Sequence, residues 1–456
     1  MDQFVITGGR RLCGRLTVKG SKNAALPLMA AALLTDRPVL LRDVADLADI
    51  GNMRRLLSEL GCKVEFAPPA DHTSPGGTIL IHAEDQSQSH ARYDIVRTMR
   101  ASVCVLGPML AKRGFARVSM PGGCAIGDRP VDLHLRGLAA LGAEVGLHQG
   151  DIVVRVPGGN GGRLKGGRIF LGGPFGSTVL GTANVMSAAT LAEGQTIIES
   201  AACEPEVVDL ANMLNSMGAR IRGAGSPRII IDGVEGLKGC EHRVIPDRIE
   251  AGTYMCAAAI TNGDITLDNC PVDALMAAID ALQRIGVNVE TGADCGKDPM
   301  RCSARITCSR LLRPVEFTTQ PHPGFPTDLQ AQMMALLTLS EGNSVITERI
   351  YPERFLHVPE LSRMGAKVLR QGATAVVTGV RKLVGAPVMA SDLRASAGLV
   401  LAGLAAEGET VINRIYHLDR GYEQMEQRLR SLGAEIQRVS EKATVGAGAA
   451  AEPAAV

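Results

Sequence analysis

The chain has 456 residues, 46% of them hydrophobic and 21% charged, which is the balance of an ordinary globular protein. Its 48 Lys and Arg against 47 Asp and Glu give a formal net charge of +1, which argues against nucleic-acid binding. The longest apolar run, 24–34, is shorter than the roughly 20 residues that cross a bilayer, so no membrane span is expected.

The amino-terminal sequence and the cysteines favour a location in the cytoplasm. No basic segment followed by an apolar one is visible at the amino terminus, so we expect no secretory signal. The 11 cysteines are scattered, without a CxxC pair or a Cys/His cluster at zinc spacing. We therefore expect a cytoplasmic protein with free thiols and no metal site.

A short pattern recurs six times along the chain: an apolar helix end, a glycine, and the start of a strand. Glycine just after a helix adopts positive φ at little cost, so each copy predicts a helix that glycine ends before a strand. An Ala-rich helix, a turn and a β-branched strand precede each copy. The glycines stand at positions 61, 142, 218, 286, 365 and 433.

The Ala-rich helices are apolar on most of their surface, so we expect them to be buried on nearly all sides. Six copies with two helices and several strands each predict an α/β fold of two bodies, each with three repeats, helices inside and sheets outside. The predicted inner helices cover 24–34, 101–111, 183–191, 251–260, 333–340 and 395–406.

The segment 19–27 opens the first inner helix. A lysine at a helix amino terminus joins a point charge to free backbone N–H groups, which suits a phosphate or carboxylate. Lys22 is unfavourable at this positive helix end unless an anion lies nearby. The alternative is that Lys22 is a solvated turn lysine and Asn23 the N-cap.

The segment 120–134 contains a predicted mobile loop with Pro121, two glycines and Cys124, followed by Arg129. A thiol near cations can be reactive or can act as a general acid. The alternative, favoured by composition alone, is that Cys124 is one inert cysteine among 11.

Further charged residues stand at the starts of the equivalent helices. If the two bodies face each other at these ends, the cations and helix dipoles converge on one cleft that favours a small polyanion. For Asp328 the alternative is an N-cap carboxylate. The residues in question are Arg100, Arg248, Asp328, Asp392 and Arg394, with Arg420 just before the last helix.

Several of these strings together resemble the UDP-N-acetylglucosamine enolpyruvyl transferases of peptidoglycan synthesis, from residue 1 to about residue 438. Because they occur in order and across the whole chain, the resemblance is highly specific and outweighs the alternatives above. The strings are 20–27 (GSKNAALP), 98–102 (TMRAS), 121–134 (PGGCAIGDRPVDLH), 325–328 (FPTD), 357–361 (HVPEL), 392–396 (DLRAS) and 419–422 (DRGY).

The resemblance implies a two-domain inside-out α/β barrel, in agreement with the six repeats, with the active site between the domains. The implied domains are 22–244 and 245–439 completed by 1–21, with a disordered Ala/Gly/Pro-rich tail at 440–456. The implied reaction transfers the enolpyruvyl group of phosphoenolpyruvate to the 3-hydroxyl of UDP-N-acetylglucosamine and releases phosphate, without a metal or organic cofactor.

The resemblance also implies roles for individual residues. Cys124 corresponds to the proton donor and the target of fosfomycin, an epoxide phosphonate, and Asp328 to the base. Lys22, Arg129 and Arg420 correspond to the cations that hold phosphoenolpyruvate, Arg394 to an active-site arginine, and Asp392 to a carboxylate linked to loop movement. The implied sugar-nucleotide contacts are Asn23, Arg100, Arg129, Pro130, Val131, Asp132, Leu133 and Ile350.

Two segments depart from the family pattern. The loop at 172–184 lacks the usual Ser-Val-Gly-Ala-Thr string and is about four residues longer, and either Gly176 or Gly181 is the equivalent glycine. The loop between Phe66 and Arg92 is also longer, which we interpret as a surface insertion. Two other functions stay open: enolpyruvyl transfer to another acceptor such as shikimate 3-phosphate, and a non-catalytic paralogue that binds a sugar nucleotide.

Overall fold

The computed structural model describes residues 2–71, 73–120, 131–158, 162–309 and 311–440. Cys124, Arg129 and Pro130 lie outside the described residues, as does the predicted tail from 441 onward. The chain divides into two compact units. The amino-terminal unit comprises 17–248 and 320–324; the carboxy-terminal unit comprises 1–16, 249–319 and the residues from 325 onward.

The chain begins with two strands and then builds the amino-terminal unit. In order, the elements up to residue 248 are β1 (Asp2–Thr7), β2 (Cys13–Thr17), α1 (Lys22–Ala31), β3 (Val39–Val44), α2 (Ala48–Glu59), β4 (Cys62–Ala67), β5 (Gly77–Ala83), β6 (His90–Ala91), α3 (Tyr93–Val96), α4 (Leu106–Arg113), β7 (Phe115–Ser119), α5 (Asp132–Ala140), β8 (Glu144–His148), β9 (Asp151–Arg155), β10 (Arg168–Phe170), β11 (Gly172–Gly173), β12 (Gly176–Ser177), α6 (Val179–Ala189), β13 (Gln195–Glu199), α7 (Pro205–Ser216), β14 (Arg220–Arg222), β15 (Arg228–Asp232) and β16 (Cys240–Arg243).

The remaining elements complete the carboxy-terminal unit. They are α8 (Arg248–Ile260), β17 (Asp264–Cys270), α9 (Met276–Ile285), β18 (Asn288–Thr291), β19 (Cys302–Thr307), β20 (Glu316–Thr318), α10 (Gln330–Leu337), β21 (Asn343–Thr347), α11 (Val358–Arg363), β22 (Lys367–Gln371), β23 (Thr374–Thr378), β24 (Pro387–Met389), α12 (Leu393–Ala405), β25 (Glu409–Asn413), α13 (Met425–Ser431) and β26 (Glu435–Ser440). Short 3-10 helices cover Ala32–Leu34, Arg100–Val105, Asp273–Leu275, Ala293–Gly296, Thr327–Leu329 and Ile415–Arg420.

Each unit contains three four-stranded sheets, one for each predicted repeat. Their strand orders are β16-β3-β5-β4, β6-β7-β9-β8 and β10-β13-β15-β14 in the amino-terminal unit, and β18-β19-β17-β2, β20-β21-β23-β22 and β24-β25-β1-β26 in the carboxy-terminal unit. In five of the six, one parallel pair is followed by two antiparallel pairs, as in β20-β21-β23-β22. The predicted α/β architecture of six repeats is confirmed.

The six repeat glycines all adopt positive φ, between +84° and +107°. A residue with a Cβ atom is strained in this region, so glycine ends each outer helix at the predicted position. The inner helices form the cores of the units, as their composition predicts. All eight residues of α10 are buried, and so are eleven of the thirteen in α12.

One predicted inner helix differs in its first turns. The segment predicted as a helix over 101–111 begins as the 3-10 helix Arg100–Val105, and α4 starts only at Leu106. This start leaves Pro108 in the first turn of α4. N–H groups in the first turn make no intrahelical hydrogen bond, so a proline, which lacks the N–H, is tolerated there.

The expectation of free thiols is wrong for one pair of cysteines. Cys295 and Cys302 form a disulfide, and their Cα atoms are 4.8 Å apart, a separation that a disulfide spans. The chain between them folds back, because the N–H of Gly292 donates to the carbonyl of Ser303 and the N–H of Asp298 to that of Asp294. Spacing in the sequence does not reveal this turn.

Candidate active site

In the amino-terminal unit, Lys22 is the first residue of α1 and is buried. Its Nζ lies 3.1 Å from Oδ2 of Asp49, and its backbone N–H donates to Asp247 at 3.3 Å. The N-cap is Ser21, whose hydroxyl accepts from the N–H of Ala24. The alternative of a solvated Lys22 capped by Asn23 is therefore wrong, and nearby carboxylates offset the repulsion between Lys22 and the positive helix end.

The predicted sugar-nucleotide contacts of this unit occupy neighbouring helix starts. Asn23 follows Lys22 in α1, which packs against the 3-10 helix that Arg100 begins. Val131 is the N-cap of α5, and Asp132 and Leu133 are its first two residues. The first turn of this helix leaves backbone N–H groups without intrahelical acceptors, which suits an anionic ligand.

The divergent loop at 172–184 is held against α5. Arg136 in α5 donates from Nη2 to the carbonyls of Phe170 (2.8 Å) and Gly172 (3.0 Å). Within the loop, β11 and β12 form a two-stranded hairpin. Gly176 supplies a φ of +101° to this hairpin, while Gly181 lies inside α6. This segment of the loop therefore forms a hairpin beside the predicted nucleotide contacts.

In the carboxy-terminal unit, Asp328 lies between two arginines. Its Oδ1 is 2.8 Å from Nη1 of Arg354 and its Oδ2 is 2.9 Å from Nη2 of Arg394. Burial raises the pKa of the Asp328 carboxyl, but the charges and hydrogen bonds of Arg394 and Arg354 outweigh it and hold that pKa well below its ordinary value. Asp328 is thus a stable carboxylate, and the N-cap alternative is wrong because Pro326 caps this short helix.

A buried polar network fixes Arg394. Its Nη1 donates to the hydroxyl of Tyr422 at 3.2 Å. That hydroxyl also contacts Oγ1 of Thr253 (2.8 Å) and Nε2 of Gln332 (3.2 Å). Gln332 in turn donates to the carbonyl of Asp328 at 3.0 Å. The guanidinium and the carboxylate that it binds are therefore held in a defined geometry, as a preorganised site requires.

Glu348 connects Ile350 to Thr327, the residue before Asp328. Its carboxylate accepts from the hydroxyl of Thr327 at 2.9 Å and from the N–H of Ile350 at 2.9 Å. The hydroxyl of Thr319 donates to the same carboxylate at 2.7 Å. Within this unit one buried carboxylate therefore binds the two segments that contain the predicted contacts Asp328 and Ile350.

Asp392 caps α12 and interacts with two histidines. Its Oδ1 accepts from the N–H groups of Arg394 (2.9 Å) and Ala395 (3.1 Å). Burial lowers the pKa of His357 to about 4, with Asp392 raising it and Arg354 lowering it further. Burial and Arg420 likewise lower the pKa of His417, opposed by Asp392. Asp392 is therefore close enough to His357 and His417 to affect the pKa of both.

Arg354 and Glu348 are not among the residues predicted from the sequence. Both are buried and both bind the segment around Asp328. Neither stands at a helix start, which was the signal used to select candidates. One feature of the sequence could have indicated Arg354: it stands three residues before the string 357–361, which carries part of the resemblance.

The described part of the chain contains no cluster of three or more His, Cys, Asp or Glu placed to bind a metal ion. Within the same residues, none of the helices has the length and apolar character needed to span a membrane.

Comparison with known proteins identifies the family. Residues 6–445 match the family model of EPSP synthase (3-phosphoshikimate 1-carboxyvinyltransferase). The UDP-N-acetylglucosamine 1-carboxyvinyltransferases of Gluconacetobacter diazotrophicus and Nitratidesulfovibrio vulgaris are each 52% identical over 441 residues, which cover 97% of this chain and 100% of each relative.

Solved structures agree with this assignment. The enolpyruvyl transferase NikO from Streptomyces tendae superposes with a TM-score of 0.83 at 26% identity, covering 96% of this chain and 99% of that chain. EPSP synthase from Acinetobacter baumannii, at 18% identity, shares the fold with a TM-score of 0.73 over 96% of this chain and 100% of that chain. The chain therefore belongs to the EPSP synthase family of enolpyruvyl transferases and, within it, to the UDP-N-acetylglucosamine 1-carboxyvinyltransferases, which confirms the resemblance seen in its motifs.

Proposed function

We propose that this protein transfers the enolpyruvyl group of phosphoenolpyruvate to the 3-hydroxyl of UDP-N-acetylglucosamine, the first committed step of peptidoglycan synthesis. The observation that carries the proposal is the 52% identity, over 441 residues, to proteins of that name. The chain also contains the thiol, the carboxylate and the cations that the chemistry requires, at Cys124, Asp328, Lys22 and Arg420. We place the reaction in the cytoplasm.

The reaction is an addition followed by an elimination. In the addition, the sugar oxygen bonds to C2 of phosphoenolpyruvate, its proton passes to a base, and C3 takes a proton from an acid. In the elimination, the bond between C2 and the phosphate oxygen breaks and C3 loses a proton, which leaves the enol ether and inorganic phosphate. We assign Cys124 as the acid for C3 and Asp328 as the base for the hydroxyl.

The surroundings of Asp328 give this assignment a testable consequence. While Arg354 and Arg394 both bind the carboxylate, its affinity for a proton is low. A substrate oxyanion that competes for either guanidinium weakens these ion pairs and raises the pKa of Asp328. The base therefore becomes stronger when substrate is bound, and the same arginines then stabilise the negative charge of the intermediate.

The remaining predicted residues bind and hold the substrates in this proposal. Lys22, Arg129 and Arg420 bind phosphoenolpyruvate, and Asp392 maintains the start of α12 beside Arg394. The contacts to the sugar nucleotide are Asn23, Arg100, Arg129, Pro130, Val131, Asp132, Leu133, Asp328 and Ile350.

The test is a turnover assay on the purified full-length protein. Mixing phosphoenolpyruvate with UDP-N-acetylglucosamine should release phosphate and yield a product heavier than the sugar nucleotide by one enolpyruvyl group. Replacing the acceptor with shikimate 3-phosphate should release none. Release only with shikimate 3-phosphate would favour the other acceptor, and no release with either would favour a non-catalytic binding protein.

A further inference from the structure

A buried histidine and a buried asparagine form a pair in the amino-terminal unit. His134 is the third residue of α5 and only 4% exposed, and Asn184, in α6, is 1% exposed. Nδ2 of Asn184 lies 2.9 Å from Nδ1 of His134. The same amide binds the backbone twice: Nδ2 donates to the carbonyl of Val103, and Oδ1 accepts from the N–H of Gly107, each at 2.8 Å.

The two backbone contacts fix which way the amide of Asn184 points. The N–H of Gly107 can only donate and the carbonyl of Val103 can only accept, so the oxygen and nitrogen of the amide cannot be exchanged. Nδ1 of His134 therefore faces an N–H donor and must be the unprotonated ring nitrogen. The proton of the neutral imidazole consequently lies on Nε2.

The same contact disfavours a charged ring, because imidazolium would direct its Nδ1–H against the amide N–H of Asn184. Burial, reinforced by the positive charge of Arg100, lowers the pKa of His134 to about 3. The ring is thus neutral at physiological pH. Its Nε2 carries the proton, and its Nδ1 accepts from the amide of Asn184.

The Nε2–H group has no acceptor among the residues that the structure describes. Nε2 is not among the fully enclosed polar atoms without a partner in the described residues, so this N–H is accessible and can donate to an oxygen of a ligand. Its surroundings select the kind of ligand: Arg100 is close enough to affect the ring, and His134 lies in the first turn of α5, where backbone N–H groups point outward. A negatively charged oxygen suits the Nε2–H donor, the positive charge of Arg100 and the free backbone N–H groups of α5.

We propose that Asn184 is a positioning residue that fixes His134 as an uncharged Nε2–H donor to a phosphate oxygen of the sugar nucleotide. The identity of the ligand rests on the proposed function; the tautomer does not. An uncharged donor adds a directional hydrogen bond beside Arg100 without bringing a second positive charge next to it. The hydrogen bond also does not depend on pH in the physiological range.

The first experiment is nitrogen NMR of the full-length protein labelled at its histidines, without substrate. We expect the His134 ring to carry its proton on Nε2 and to stay neutral from pH 8 to pH 5. In Asn184→Asp, where a carboxylate oxygen can accept from the ring, the proton should move to Nδ1 or the ring should become charged. A wild-type ring protonated on Nδ1 would overturn the proposal, and this readout needs no turnover.

The second experiment compares two variants of similar size. His134→Gln retains an N–H at the position of Nε2, whereas His134→Asn retains only a group at the position of Nδ1. We expect His134→Asn to raise the KM for UDP-N-acetylglucosamine about tenfold or more, the value of a hydrogen bond to a charged group. The KM for phosphoenolpyruvate and kcat should stay within about threefold of wild type in both variants.

His134→Gln should keep the KM for the sugar nucleotide within about threefold of wild type, and melting temperatures check that both variants fold. Equal KM values in the two variants would overturn the donor role, as would an effect confined to phosphoenolpyruvate. If the wild-type protein shows no turnover, the proposed function fails, and UDP binding measured by calorimetry replaces KM in the same comparison.

Discussion

Asp328 combines two properties that bear on its proposed role as a base. Its carboxylate is ionised, because Arg354 and Arg394 hold its pKa low, yet 23% of its side chain remains exposed and so reachable by a substrate. The first property leaves the carboxylate without a proton before substrate binds, and the second lets the substrate hydroxyl approach. A substitution that removes only the negative charge should therefore separate binding from turnover.

We expect Asp328→Asn to lower kcat by about 10²- to 10⁴-fold, the range for loss of a general base, with a much smaller effect on KM. The amide keeps an acceptor oxygen for one arginine and has nearly the same volume. The measurement is phosphate release at saturating concentrations of both substrates.

A matched control for this variant is Asp268→Asn, which breaks an ion pair with Arg15 that is 2.5 Å long but largely exposed. Exposed pairs contribute little, so we expect the control to keep wild-type kcat. Near-normal turnover in Asp328→Asn would remove Asp328 from the role of base.

A second prediction concerns Cys124. Fosfomycin, a phosphonate that mimics phosphoenolpyruvate, should alkylate this thiol, because the cations proposed to bind the substrate phosphate would also bind the phosphonate beside it. Peptide mass mapping after incubation with UDP-N-acetylglucosamine and fosfomycin measures the added mass. Cys13, an exposed free thiol, serves as the internal control: we expect it to stay unmodified, and equal labelling of both thiols would indicate general reactivity instead of an anion site.

At the scale of residues, the sequence was most informative about types of side chain and least about their partners. The sequence indicates Lys22 and Asp328 because each stands near the start of a predicted inner helix. Their partners Asp49 and Arg354 lie 27 and 26 positions away, and no local pattern links positions so distant. The pairing between His134 and Asn184, 50 positions apart, likewise depends on the packing of two helices.

At the scale of elements, the end of a helix is decided locally, which is why the six glycines could be read from the sequence. The start of α12 is equally local, since Asp392 accepts from two N–H groups of the first turn. The hairpin at 172–177 was not predictable in the same way. Its strands have two residues each, and it is held by Arg136 from another helix.

Two substitutions at position 392 should separate the structural effect of the cap from the effect of its charge. Serine can cap a helix without a charge, whereas alanine cannot. We expect Asp392→Ala to reduce the free energy of unfolding by about 1 kcal/mol and Asp392→Ser to reduce it by a few tenths at most. Both should lower kcat, because both remove the carboxylate that interacts with His357 and His417.

Denaturant unfolding and phosphate release are the two measurements for this pair. Full activity in Asp392→Ser would mean that Asp392 acts only through the helix. Equal loss of stability in both variants would mean that its charge, and not its capping geometry, stabilises the carboxy-terminal unit.

At the scale of the whole molecule, each unit contains one histidine that is neutral and deeply buried. The pKa of His134 in the amino-terminal unit is lowered to about 3 and that of His357 in the carboxy-terminal unit to about 4. In the unfolded chain both titrate near 6.5. Between pH 7 and pH 5 the unfolded chain therefore takes up protons that the folded protein does not, so stability must fall as the pH falls through this window.

We expect each histidine to account for about 2 kcal/mol of the loss in unfolding free energy between pH 7 and pH 5. The measurement is urea unfolding of wild type, His134→Gln and His357→Gln at both pH values. The change in unfolding free energy between the two pH values is then compared between wild type and each variant. The comparison cancels other groups, including Glu204, whose pKa burial raises and which acts in the opposite direction. Between pH 7 and pH 5, the unfolding free energy of each variant should fall by less than that of wild type, whatever its value at pH 7. Parallel pH dependence in wild type and both variants would contradict the burial of neutral histidines, because only a histidine that binds its proton equally well in the folded and unfolded states can be removed without changing the proton uptake on unfolding.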